Sequence, residues 1–156
     1  MIIAHRCNIN GPSDTENTQE AMLQCIGHGL AVEIDLWFTG GVFYMGHDGP
    51  AEEVDISVLL EHDENLFIHC KNIDALYQLK AYNNLNVFGH SNDEFVLTSQ
   101  GDIFCSVGVA QKGCICVMPE LYSPNFSDAE LQCCKHILTD YPFRYVIDET
   151  NNNPFR

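Results

Sequence analysis

A chain of 156 residues, 46% hydrophobic and 19% charged, is long enough for one domain with a sizeable core and too apolar for extended disorder. Its net charge of -15 excludes the basic patch that a nucleic-acid or anionic-membrane surface requires, so a phosphate ligand would need a local cation or a metal to hold it against the overall field. No stretch reaches the roughly 18 apolar residues of a membrane helix, and the N-terminus turns polar by residue 5, unlike a signal peptide, so the expected location is cytoplasmic.

Short apolar runs predict strands at 1–5, 30–38, 42–46, 66–70, 85–89, 102–106, 114–118, 136–139 and 143–148. Helices are expected between them at 16–28, 56–62, 73–82 and 127–134. Gly29 stops the first helix, and Ser127 with Glu130 forms a capping box at the start of the last. Thr39-Gly40-Gly41 leaves no room for a crossover, so the second and third runs form an antiparallel hairpin. A turn centred near Gly40 sets His47 level with Glu33, and residue 45 opposite Asp35. Elsewhere strands alternate with helices, as in a parallel sheet. The expected architecture is α/β: one domain over 1–156, a compact TIM (β/α) barrel, incomplete or irregular, with a β-hairpin after strand two. The eight cysteines, spaced unlike a structural zinc site, read as reduced core residues.

In such a barrel the chemistry sits at the C-terminal ends of the strands. There stand His5 and Arg6, Glu33 and Asp35, His47 and Asp48, His69 and Lys71, and further on His90, Glu120 and Asp140. Glu33 and Asp35 lie two apart and so on one face; facing inward they need a cation, facing outward they are merely solvated. Together the set suggests metal-assisted phosphodiester chemistry. The carboxylates would hold a divalent cation, Arg6 would grip phosphate with its planar fork, and two histidines would exchange protons.

The segments "AHRC", "TENTQEA", "VEIDLWFTGGVFYMGHD" and "ILTDYP" resemble, in order, motifs of the glycerophosphodiester phosphodiesterase family, within the superfamily of phosphatidylinositol-specific phospholipases C. The resemblance is specific over 3–48 and 138–142, and the middle looks like short bacterial and viral relatives. It implies a TIM barrel and a metal-dependent hydrolase of a small glycerophosphodiester-like substrate. His5 and His47 would be the acid-base pair, Arg6 and Lys71 the phosphate-binding cations, and Glu33 and Asp35 metal ligands, while Glu16-Asn17 would organise the first loop. Two positions depart from the pattern. Cys7 stands where the family has glycine, and His69 where it has the glutamate that completes the metal site. The ion is then Mg²⁺ or Ca²⁺, with Glu120 as a further ligand, or Mn²⁺ or Zn²⁺ if His69 ligates. The alternatives are a phospholipase D-like lyase forming a cyclic phosphate and a degenerate barrel that only binds a phosphorylated ligand.

Overall fold

Alternating apolar and inward polar positions make β2 (Ala31–Thr39) the strand on which the rest of the sheet is assembled. In the computed structural model, which describes residues 1–122 and 126–145, β2 pairs in parallel with β1 (Ile2–Ala4) and, on its other side, with β5 (Leu66–Cys70). The parallel order runs β6 (Asn86–Phe88), β5, β2, β1, β10 (His136–Thr139), β9 (Ile115–Val117), β8 (Ile103–Cys105). That order is barrel-like, yet the ladder does not close. No strand pairing joins β6 to β8 among the described residues. Instead β7 (Phe95–Leu97) returns antiparallel along β8, and Ser99, in the turn after it, caps the free edge of β6. Ser99 N–H donates to the Val87 carbonyl at 2.9 Å, and Val87 N–H donates to Ser99 Oγ at 2.9 Å. The expected α/β class therefore holds, and the sheet is not a closed barrel among the described residues, in keeping with the incomplete or irregular form expected.

Side chains of β2 divide between two layers. Val32, Ile34 and Leu36 point outward, into the main core beneath α1 (Gln19–Gly27), α2 (Ile56–Glu61) and α3 (Ile73–Leu79). Ala31 points inward with Ile3, Phe67, Phe104, Ile115 and Leu138, and Glu33 and Asp35 follow it on that inner face. Thr18 caps α1, its hydroxyl accepting from Ala21 N–H, so the helix starts later than the expected residue 16. The capping box of α4 (Asp128–Cys133) is present as expected. Pro142–Arg144 form a 3₁₀ turn, so 143 and 144 do not open the strand expected over 143–148; 146–148 lie outside the described residues. The short edge strands β4 (Glu52–Val54) and β7 were not anticipated, and all eight cysteines are free. No described helix is long and apolar enough to cross a membrane.

The hairpin register differs by one from expectation. β3 (Val42–Met45) pairs Thr39 with Val42 and Leu36 with Met45, because the loop is the two-residue Gly40-Gly41, both with positive φ, rather than a turn centred on Gly40. Continued, that ladder would set His47 opposite Ile34, on the outer face, since a one-residue slip exchanges faces. Gly46 prevents this. At φ +147 it ends the strand and returns His47 to the inner side. A Cβ there would meet the Gly49 carbonyl oxygen at 2.2 Å, whereas one on Gly40 would meet nothing within 4 Å. Gly46→Ala should therefore lower the urea midpoint well beyond Gly40→Ala, and shift the His47 ring resonances, while Gly40→Ala costs about 1–2 kcal/mol from its left-handed φ alone.

Candidate active site

The inward carboxylates of β2 open into a cavity of about 700 Å³, and His5, Arg6, Glu33, Asp35, His47, His69 and Lys71 all line it. The structure thus brings to one cavity the acid-base pair, the two phosphate-binding cations and the Glu33, Asp35 and His69 ligands expected from the sequence, while Asp48, Glu120 and Asp140 do not line it.

Asp35 is the hub, only 1% exposed. His69 Nδ1 meets its Oδ1 at 2.8 Å, and Lys71 Nζ approaches the same oxygen at 3.3 Å. Its Oδ2 takes His47 Nδ1 at 2.9 Å, Asn17 Nδ2 at 2.9 Å and Arg6 Nε at 3.5 Å. Asn17 also accepts Asp35 N–H at 2.8 Å, holding a left-handed φ of +54 to do so. Burial opposes ionisation of Asp35, but the His69 hydrogen bond, the Lys71 charge and the His47 hydrogen bond outweigh it and hold the carboxyl below its ordinary range.

Glu33, on the same face, goes the other way. Burial, and then the neighbouring Asp35 charge, raise its pKa. Its contacts are one N–H, from Arg6 at 3.1 Å, and His69 Nδ1 at 3.9 Å. It is a buried carboxylate short of positive charge. Glu33, Asp35 and His69 offer ligand atoms that all lie within 4.8 Å of one another, so the donor set fits a divalent cation. For His69 to ligate through Nδ1, the proton it shares with Asp35 must move to Nε2. Glu120 lies apart from this triad, accepting Thr139 Oγ1–H at 2.8 Å and Asp140 N–H at 2.9 Å.

The two histidines of the expected acid-base pair are each held through Nδ1 by a carboxylate. Asp35 holds His47, and Asp140 holds His5 at 2.8 Å. Burial disfavours the charged form of His5, but the Asp140 hydrogen bond and the Glu33 charge reverse this and raise its pKa. His47 Nε2 lies 3.0 Å from Arg6 Nη2. A guanidinium only donates, so this nitrogen carries the lone pair and His47 is the Nδ1–H tautomer. Arg6 is itself oriented by Glu16 at 3.3 Å, and Glu16 and Asp140 are tied together through Asn8 Nδ2.

Arg6 and Cys7 sit at φ +49 and +66, so the stretch following β1 keeps a left-handed, glycine-like course with a cysteine in place of glycine. His90 stacks on His69, with centroids 4.5 Å apart, and Asp48, its side chain fully exposed, brings Oδ1 to 3.8 Å from His47 Nε2. In the sequence Asn17 and Asp140 stand out as motif residues, and only the structure shows them as the direct partners of Asp35 and His5. The signals were Asn in a tight turn before a helix cap, and Asp at a strand end in "LTDYP".

Compared with family models, curated proteins and solved structures, the chain yields no match, so the site's own geometry carries the reading.

Two outcomes follow. Asp140→Asn should lower the pKa of His5 in an NMR titration. A raised folded-state pKa gives stability that is present below about pH 6.5 and lost as pH rises through the folded value, so the variant should also flatten that decline. Mn²⁺ at a hundredfold excess over its Kd should stabilise the protein by about 2.7 kcal/mol in thermal or urea unfolding, and Glu33→Gln should abolish the gain; no shift with any divalent ion would count against the triad.

Proposed function

We propose that the chain is a metal-dependent phosphodiesterase in which His47 is the general base and His5 the general acid. The observation that carries this reading is the paired orientation of the two imidazoles. Each is fixed at Nδ1 by a carboxylate, and both line one cavity beside Arg6. His47 Nε2, which faces the Arg6 guanidinium, would take the proton of the attacking hydroxyl. His5, whose pKa is raised, would give its Nε2 proton to the departing alkoxide, so that one P–O bond forms as the other breaks. Arg6 and Lys71 would hold the phosphoryl oxygens. A divalent cation at Glu33, Asp35 and His69 would supply charge stabilisation to the phosphoryl group, and an imidazole in the triad favours Mn²⁺ or Zn²⁺ over Mg²⁺ or Ca²⁺. When the attacking hydroxyl belongs to the substrate the product is a cyclic phosphate, as in a lyase; when it is water the product is a monoester.

The Arg6–His47 contact favours a second reading, since it occupies the nitrogen that a base must keep free. In that case the cavity binds a phosphorylated ligand without turnover.

Turnover of bis(p-nitrophenyl) phosphate in Mn²⁺ should be abolished by EDTA and reduced about 10²–10⁴-fold in kcat by His5→Ala and by His47→Ala. Unchanged activity in both variants would sink the mechanism. Binding of inorganic phosphate with no cleavage across a diester panel would select the second reading. ³¹P NMR of the products separates cyclic phosphate from monoester.

A further inference from the structure

The cavity is made of two unlike halves. Every group assigned above to acid-base, phosphate or metal chemistry comes from residues 5–71. The facing wall comes from residues 88–138. Its floor is Phe88, Phe104 and Leu138, all at most 5% exposed, and its rim is Phe95, Val107 and Leu121, exposed at 69%, 42% and 65%. The floor residues belong to the inner core. The rim residues do not; they leave apolar surface at the mouth of a cavity, where such a cluster marks a ligand rather than a core.

The side chains that form the floor and the rim are all apolar, and the polar groups of this wall include His90, Ser91, Asp93 and Ser106. Ser106 Oγ–H donates to the Glu94 carbonyl, Asp93 accepts Ser91 N–H, and His90 is stacked on His69. A polyol or sugar lying along the floor and rim side chains would lose water and gain no side-chain hydrogen bond from them. An alkyl chain would lose only apolar hydration, which favours binding.

Resting on the phosphodiesterase reading of the charged half, we infer that the substrate's non-reacting group is a single alkyl or acyl chain lying along Phe88, Phe104 and Leu138 and leaving past the Phe95, Val107 and Leu121 rim. The substrate class is a dispersed amphipathic phosphodiester. The net charge of -15 opposes approach to an anionic bilayer, so the monomer is the form taken up.

Isothermal titration with the monomethyl esters of methyl-, butyl- and octylphosphonic acid, below any micelle concentration, tests this without requiring catalysis. Each compound is a singly charged diester mimic whose chain is attached through a P–C bond that the proposed chemistry does not cleave. Affinity should rise about fourfold per added methylene over the first few carbons, and ΔCp should become more negative with length. Val107→Asp and Leu121→Asp, at exposed positions that the fold tolerates, should shrink the octyl-to-methyl affinity ratio at least tenfold while unfolding as wild type does. Equal affinity for all three compounds, or an unchanged ratio in both variants, overturns the inference. Length-dependent binding without cleavage of any diester retains the inference and removes the phosphodiesterase reading. Cleavage of bis(p-nitrophenyl) phosphate with a flat length series does the reverse.

Discussion

A single buried negative charge, on Asp35, organises this molecule. A carboxylate with 1% exposure is stable as an anion only if its lost hydration is replaced by nearby donors. The chain supplies them from separate stretches: Arg6 after β1, Asn17 before α1, His47 after the hairpin, His69 in β5 and Lys71 just after it. The dependence is mutual. Without Asp35, Arg6, Lys71 and two imidazoles would lose the counter-charge they share, and the left-handed turn at Asn17 would lose the bonds that hold it.

Glu33 shows how one strand provides two different carboxylates. It stands two residues from Asp35 on the same face, yet its surroundings move its pKa in the opposite direction. Asp35 is surrounded by cationic and hydrogen-bonding partners; Glu33 has one backbone donor close by. Such separation within a pair of like groups is a recurrent property of sites that bind cations or move protons. Asp140 repeats the pattern at a distance, orienting His5 as Asp35 orients His47.

Much of this is legible in the sequence, for identifiable reasons. The alternation in "AVEIDLW" places Glu33 and Asp35 on one face; only the inner layer, with Phe67, Phe104 and Leu138, shows that this face is inward. The hairpin was readable from Gly40-Gly41, but its register was not. The expected placement of His47 level with Glu33 used the wrong turn centre, and His47 reaches Asp35 because Gly46 reverses the slip. A glycine of φ +147 leaves no periodic trace in a sequence. β4 and β7 are three residues each and too short to show alternation, and "FRYVID" reads as a strand although Pro142 begins a 3₁₀ turn. The partnership of His5 with Asp140 spans 135 positions and is visible only once β1 pairs with β10.

The missing ladder between β6 and β8 has a mechanical consequence. In a closed ring each strand is braced on both edges, whereas here the seam is held by Ser99, by the Asn86–Asp102 hydrogen bond at 2.9 Å and by the packing of Phe88 against Phe104. Strands β1, β2 and β5, which carry the charged half of the cavity, lie in the middle of the hydrogen-bonded ladder. β6, β7 and β8, which carry much of the apolar half, lie at its two ends. Local opening costs least at ladder ends. The molecule therefore joins a reacting half braced by ladder bonds on both edges of its strands to an apolar half held at the seam by a few side-chain contacts.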